Sequence, residues 1–233
     1  MNTETPSTLI ALVGGSGAGK SWLAARLRRA FGGEATSLSL DDFYCDLSRF
    51  APSEREKINF DHPDAIDWPL FESVLRELRR GVTALAPRYS FFFHTRAIER
   101  EPCRPRPFIF VEGLWLLWPP RVRELFDLRI FLDCAESLRW QRRLARDRNE
   151  RGRTTVSICE QFLKVVAPMH ERFVEVQKAW ADLVIKQPIS HAGLGRLIPT
   201  IRARRAKPAP ALFERTGSGP TAPGFAALQF SAL

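Results

Sequence analysis

Residues 14–21, Gly14-Gly15-Ser16-Gly17-Ala18-Gly19-Lys20-Ser21, fit every fixed position of the phosphate-binding pattern of Gly, four residues and Gly-Lys-Ser. The apolar run before them, Thr8–Val13, is typical of a short buried strand. Residues 21–31 have helical apolar spacing, and Gly32-Gly33 end that pattern. Strand, glycine-rich loop and helix therefore follow in the required order. A glycine-rich turn without a ligand is the alternative, and the complete pattern disfavours it.

The loop has the chemistry of an anion site. Its glycines let the backbone bend until successive amide N–H groups point inward, and the positive end of the following helix adds to the attraction. We expect Lys20 to reach the β- and γ-phosphates of a nucleoside triphosphate. We expect the Ser21 hydroxyl to bind the Mg²⁺ that bridges those phosphates. The sequence thus predicts a magnesium-dependent nucleotide site.

Strand and helix patterns alternate along most of the chain. Further strands are predicted at residues 35–40, 108–111, 128–133 and 181–185, and further helices at 68–80, 136–149 and 154–180, the last kinked at Pro168. This alternation predicts an α/β fold with a doubly wound, mostly parallel, five-stranded sheet. Residues 82–96 are aromatic-rich and favour a hairpin, in which clustered aromatic side chains usually mean core or interface. Stacking of these side chains on a planar base is the functional alternative.

The C-terminal part of the chain has a weaker pattern. Beyond Pro188 no element is clearly indicated, and residues 206–233 are rich in Ala, Pro and Gly. We expect one catalytic domain over residues 1–205 and a disordered tail over residues 206–233.

Carboxylates follow two of the predicted strands. Asp41 and Asp42 come directly after residues 35–40, and Glu112 follows residues 108–111. Ligands of open α/β sheets bind beyond the carboxyl ends of the strands, so we expect these side chains to face the phosphate loop. The pattern does not decide between Asp41 and Asp42, and solvated loop acids are the alternative.

Charge and composition narrow the class of protein. The net charge of +9 arises from ten Arg against six acidic residues over 121–153, and from five basic residues over 196–207. Arginines of the helix at 136–149 can bind phosphate oxygens, although a solvated basic face is the alternative.

The four cysteines form no CxxC pair, so neither disulfides nor zinc is indicated. No apolar run approaches about 18 residues and no signal pattern is present, so we expect a cytoplasmic protein without a membrane partner.

Several stretches together resemble the uridine kinase family, in unbroken order over about residues 8–186. They are residues 14–21, 39–44, 59–67 (Asn-Phe-Asp-His-Pro-Asp-Ala-Ile-Asp), 89–96, 112–113, 142–153 and 168–170. The resemblance implies a P-loop kinase of the uridine kinase/phosphoribulokinase type, with an Arg-rich helical lid and a small hairpin near the acceptor site. Such enzymes transfer the γ-phosphoryl of ATP, with Mg²⁺, to the 5′-hydroxyl of uridine or cytidine in pyrimidine salvage. The resemblance also implies a homo-oligomer, often a tetramer.

The resemblance assigns roles to individual residues. It implies that Asp41, rather than Asp42, accepts the hydroxyl proton, and that Asp41, Glu112 and Ser21 hold the metal. Arg146 and Arg151 would belong to the lid over the triphosphate. The implied nucleoside pocket consists of Tyr44, Phe60, Asp61, Tyr89, His94, Arg143, Arg153 and Gln161.

Two other functions are weighed against this one. A related P-loop kinase could act on a sugar phosphate or pantothenate, but residues 59–67 carry three acidic residues and one histidine, which suits a neutral ribose better. A nucleic-acid-binding NTPase would place its arginines on a phosphate backbone, and its binding would weaken steeply with salt. We regard nucleic acid as the less expected partner.

Overall fold

The computed structural model describes residues 6–55, 57–149 and 152–205. In chain order its strands are β1 Thr8–Val13, β2 Ala35–Ser39, β3 Ala84–Ala86, β4 Tyr89–Ser90, β5 Thr95–Arg96, β6 Glu101–Cys103, β7 Phe108–Gly113, β8 Leu128–Asp133 and β9 Leu183–Lys186. Its helices are α1 Lys20–Phe31, α2 Pro52–Arg55, α3 Trp68–Arg79, α4 Pro120–Arg123, α5 Glu136–Asn149, α6 Thr155–Gln161, α7 Ala167–Met169 and α8 His191–Arg204.

The centre of the fold is a five-stranded sheet in the order β2-β7-β1-β8-β9, and all of its pairings are parallel. The predicted doubly wound α/β fold is therefore confirmed. The central strand β1 is buried along its whole length because both of its faces are covered. Successive side chains point to opposite faces, so Leu9 and Ala11 enter one core cluster while Ile10 and Leu12 enter the other.

Each face is covered by helices whose apolar positions match the predicted spacing. On one face α3 buries Phe71, Val74, Leu75 and Leu78. On the other, α1 buries Leu23, Leu27 and Phe31. The register aligns Val13 with Gly113 and Ser39 with Glu112, so the loops that follow these strands emerge at one edge of the sheet. This edge carries the candidate site.

The segment from Thr155 to Trp180 is less regular than the predicted kinked helix. Wide, π-type turns at Phe162–Val166 and His170–Val174 flank α7, and a 3₁₀ helix at Glu175–Trp180 ends the segment. Pro168 lies in α7 and lacks the backbone N–H that a regular α-helix needs, which accounts for a break there.

The C-terminal helix α8 was missed by the sequence prediction. Gly193, Gly195 and Pro199 weaken its helical pattern, yet Leu197 and Ile201 are buried against the α1 face of the sheet. Tertiary packing thus outweighs local preference here. The predicted tail at 206–233 lies outside the described residues and stays a prediction. Within the described ranges, no helix combines the length and the apolar character needed to cross a membrane.

The predicted hairpin is confirmed as the antiparallel pair β4 and β5. The aromatic side chains at the tip of the hairpin do not belong to the core. Phe91, Phe92 and Phe93 are 44%, 85% and 62% exposed, whereas Tyr89 is buried.

Candidate active site

The phosphate-binding loop connects β1 to the first residue of α1, Lys20. Gly17 has a φ of +81°, in the region that favours glycine. A Cβ at Gly17 would also lie 2.5 Å from the carbonyl oxygen of Arg139 on α5. The loop backbone is therefore pressed against α5 at a point where only glycine fits.

Lys20 lies inside the loop. Its Nζ donates a hydrogen bond to the carbonyl oxygen of Gly15, at 3.1 Å. Burial lowers the pKa of the ammonium, and the nearby carboxylates of Glu112 and Asp41 act in the opposite direction. An enclosed cation compensated by two carboxylates is suited to meet the negative charge of a triphosphate.

Oxygen ligands converge beside Lys20. The hydroxyls of Ser21 and Ser39 donate to Oε1 of the buried Glu112, at 3.1 and 2.8 Å. The Ser39 hydroxyl also accepts from the backbone N–H of Asp41, at 3.3 Å, and this contact fixes the turn after β2. Hydroxyl and carboxylate oxygens are the ligands that Mg²⁺ prefers, so the donor set fits that cation.

The two adjacent aspartates have different surroundings. Asp41 lines the cleft together with Lys20 and Glu112. Asp42 is held at the hairpin, where its Oδ1 accepts from the backbone N–H of Tyr89 at 3.3 Å. Burial raises the pKa of Asp42. Asp41 thus shares the cleft with the lysine, whereas Asp42 is engaged by the hairpin.

The cleft has a volume of about 210 Å³. Its walls come from the phosphate-binding loop and the start of α1, from the segment that follows β2, from the end of β7 and the residue after it, and from three arginines of α5. The lining residues are Ser16, Gly17, Gly19, Lys20, Ser21, Trp22, Asp41, Glu112, Leu114, Arg142, Arg143 and Arg146. All the groups that phosphoryl transfer needs on the donor side therefore share one space.

The arginines of α5 close over the loop. Nη1 of Arg142 donates to the carbonyl oxygen of Gly17 at 3.3 Å, and Nη1 of Arg143 donates to the Ser16 hydroxyl at 2.9 Å. Arg143 is 5% exposed, so the basic face of this helix is not simply solvated. Arg143 was expected in the nucleoside pocket, and the structure places it against the phosphate loop.

Asp147 organises the arginines, and the sequence analysis did not single it out. It is completely buried and lies 2.8 Å from Arg146, 3.4 Å from Arg143 and 3.8 Å from Arg153. Gln161 joins the network by accepting from Arg143 at 3.0 Å and from Arg153. The predicted lid residue Arg151 lies outside the described residues.

An aromatic wall forms around Tyr44, next to the hairpin. The ring centroid of Tyr44 is 5.6 Å from that of Phe60 and 5.2 Å from that of Tyr89, and its hydroxyl donates to the Phe60 carbonyl at 2.9 Å. Phe60 and His94 stack with a centroid distance of 4.6 Å and an angle of 16°. Burial raises the pKa of Tyr89. Four of the predicted pocket residues are thus brought together.

Arg96 anchors this wall and was also missed. It donates to the carbonyl oxygens of Tyr44 and Phe43 at 2.8 and 3.1 Å, and to the Asp67 carboxylate at 3.0 Å. These contacts join the hairpin to the turn after β2. Asp61 lies slightly apart, in a small cavity of about 10 Å³ that Ser16 of the phosphate loop also lines.

Comparison with known proteins decides the family. Residues 9–191 match the family described as the Phosphoribulokinase / Uridine kinase family. The chain belongs to this family. Two relatives are each named uridine kinase. The protein from Clostridium perfringens (strain SM101 / Type A) is 40% identical over 179 residues, which cover 76% of this chain and 86% of the relative. The protein from Leuconostoc citreum (strain KM20) is 41% identical over 182 residues, which cover 77% and 87%.

A solved structure agrees at the level of the fold. The phosphoribulokinase from Rhodobacter spheroides superposes with a TM-score of 0.60 at 19% identity, covering 78% of this chain and 70% of that protein. The resemblance inferred from the sequence is confirmed. As a member of the phosphoribulokinase/uridine kinase family, the chain is a phosphotransferase.

Proposed function

We propose that the chain phosphorylates the 5′-hydroxyl of uridine, cytidine or both, with ATP as donor and Mg²⁺ as cofactor, in pyrimidine salvage. One observation carries this proposal. Lys20, Asp41 and Arg146 line a single cleft, and an aromatic wall begins at Tyr44, three residues beyond Asp41. The two relatives named uridine kinase support the choice of acceptor.

The donor side positions the triphosphate. The loop amides and Lys20 hold its β- and γ-phosphates, and the lid arginine Arg146 balances the charge that spreads over the transferring group. The oxygens of Ser21, Asp41 and Glu112 would hold Mg²⁺, which supplies charge neutralisation at the phosphates when it is bound. The other contribution of the donor side is to position the triphosphate for attack.

The transfer step needs a proton acceptor. The 5′-oxygen attacks the γ-phosphorus, the bond from that phosphorus to the β,γ-bridging oxygen breaks, and ADP leaves. The hydroxyl proton passes to the carboxylate of Asp41. Closure of the α5 arginines over the cleft keeps water from taking the phosphoryl group instead.

The acceptor side suits a planar base and a ribose. The stacked Phe60 and His94 rings, with Tyr44 and Tyr89 beside them, offer aromatic surface, and a neutral imidazole can both donate and accept a hydrogen bond. Asp61 would bind the ribose hydroxyls. A site built for a hydroxyl discriminates strongly against an analogue that lacks it, because its own polar groups are left unpaired.

The test is a panel of acceptors with ATP and Mg²⁺, followed by coupled release of ADP. Uridine or cytidine should turn over fastest, their 2′-deoxy forms clearly more slowly, and adenosine, guanosine, ribulose 5-phosphate and pantothenate should fail. His94→Ala should lower kcat/KM for the pyrimidines. Preferred turnover of one of the last four compounds would refute the proposed acceptor.

Two further expectations stay predictions. The cytoplasmic location is expected because the sequence has no long apolar run and no signal pattern. The homo-oligomer, often a tetramer in relatives of this kind, is expected from the sequence resemblance. Size-exclusion chromatography with light scattering measures the second directly.

A further inference from the structure

His170 lies behind the phosphate-binding loop and has no role in the site described above. It opens the wide turn His170–Val174, and its side chain is 12% exposed. The imidazole packs directly on the loop. A Cβ at Gly15 would lie 2.7 Å from its Nδ1 and 2.9 Å from its Cε1, closer than real Cβ atoms approach. Position 15 has no room for a side chain while His170 is in place.

A chain of polar contacts holds the imidazole from the other side. Its Nε2 is 3.4 Å from the Glu175 carboxylate, Glu175 is 3.5 Å from Nζ of Lys178, and Lys178 is 2.9 Å from Asp133 at the end of β8. The sheet edge, the helical segment and the loop are thereby linked. The Nδ1 atom is buried and makes no hydrogen bond within the ranges that the structure describes.

The imidazole is neutral at physiological pH. Burial, together with the positive charges of Arg139 and Lys20, lowers the pKa of His170 to about 4. Glu175 is the carboxylate that faces it, and Arg139 also packs on Gly15, since a Cβ there would be 3.0 Å from Arg139 Cδ. A neutral ring at this place adds no repulsion to Lys20.

The same imidazole reaches the acceptor side. With Ser16 of the loop and Asp61 it lines the cavity of about 10 Å³, which has room for about one water molecule. His170 therefore touches the loop that holds the donor and lies beside the carboxylate proposed to hold the acceptor.

We propose that His170 is a positioning residue of the phosphate-binding loop. Its imidazole packs on Gly15, whose carbonyl oxygen accepts the hydrogen bond from Lys20 Nζ at 3.1 Å, and so it fixes the lysine that meets the phosphates. The inference rests on the proposed function only in taking ATP as the donor. The position of the loop matters for the reaction, because misplacement by about 1 Å can cost about 10²-fold in rate.

The first experiment measures donor binding without any acceptor, by titrating a fluorescent, non-hydrolysable ATP analogue with Mg²⁺. His170→Ala should weaken binding about tenfold and lower kcat, with the nucleoside KM changed less than about twofold. His170→Asn, which keeps a polar atom near the place of Nδ1, should recover part of the loss. The control is His191→Ala, since His191 is exposed at the start of α8. Circular dichroism checks the fold of each variant.

The second experiment tests the contact itself. Gly15→Ala should impair binding because its methyl group meets the imidazole, and the double variant Gly15→Ala/His170→Ala should lose clearly less than the two single losses combined. Unchanged analogue binding in His170→Ala, or fully additive losses in the double variant, would overturn the inference. Wild-type protein that binds the analogue but phosphorylates no pyrimidine nucleoside would refute the proposed function alone.

Discussion

Asp147→Asn tests whether the buried carboxylate organises the arginine lid. Asp147 has no exposed surface and lies within 4 Å of Arg143, Arg146 and Arg153. Removing one member of a buried ion pair costs about 3 to 5 kcal/mol. We take the lower end, about 3 kcal/mol, because Arg146 and Arg153 are 34% and 29% exposed and solvent screens part of their charge. The asparagine amide group would in addition face these cations with its own donors.

The assay is thermal unfolding followed by circular dichroism, with urea unfolding as a second measure. A loss of about 3 kcal/mol should lower Tm by about 6 to 12 °C in a domain of this size. The control is Glu160→Gln, because Glu160 is 62% exposed and lies 3.8 Å from an exposed Lys164. That change should move Tm by less than about 2 °C. An Asp147→Asn protein that melts like the control would refute the reasoning.

Three further predictions concern turnover. Lys20→Ala should lower kcat by more than about 10²-fold, because the lysine balances charge on the phosphates. Its Tm should stay nearly unchanged, because the hydrogen bond of Lys20 to the loop is made at the site and not in the core. Near wild-type activity would contradict the role of the loop. Arg146→Ala should lower kcat more than it raises the nucleoside KM, and steady-state kinetics showing a rise in KM alone would place Arg146 in the acceptor pocket instead. Asp41→Asn should cost about 10² to 10⁴ in kcat with ATP binding retained, and Asp42→Asn much less; the reverse order of these two effects would show that the wrong carboxylate was chosen.

Most of the fold could be predicted from the sequence because its signals are local. The pattern at residues 14–21 and the alternation of apolar strands with amphipathic helices depend on neighbours in the chain. The helix α8 could not be found this way, since its glycines and Pro199 weaken the pattern and its stability comes from packing on the sheet. The irregular turns on either side of α7 have no sequence signal beyond Pro168.

The site was predictable where spacing fixes the chemistry and was not where distant side chains meet. Lys20, Ser21 and Glu112 follow from the motif and from the strand ends. Arg96 and Asp147 act through contacts that sequence spacing does not reveal, such as the bond from Arg96 to the carbonyl of a residue 52 positions earlier. The resemblance covered Asp147 only as part of residues 142–153, without a role.

The exposed hairpin tip shows that composition alone does not predict which aromatic side chains are buried. Clustered aromatic side chains favour core or interface, and the structure leaves Phe91, Phe92 and Phe93 outside the core of this chain. Phe91 still meets the aromatic wall, with its ring centroid 6.2 Å from that of Tyr44 and 5.5 Å from that of Tyr89, and the flanking Tyr89 and His94 join the wall. Hydrophobic character alone therefore did not identify which side chains pack.

Identification of the reaction product tests the central claim most directly. Wild-type protein is incubated with uridine, ATP and Mg²⁺, and the products are analysed by ³¹P NMR and mass spectrometry, with Lys20→Ala and an EDTA-treated sample as controls. We expect uridine 5′-monophosphate and ADP to form in equal amounts with wild-type protein and in neither control. Release of ADP without a phosphorylated nucleoside, or phosphorylation at a position other than the 5′-hydroxyl, would contradict the account.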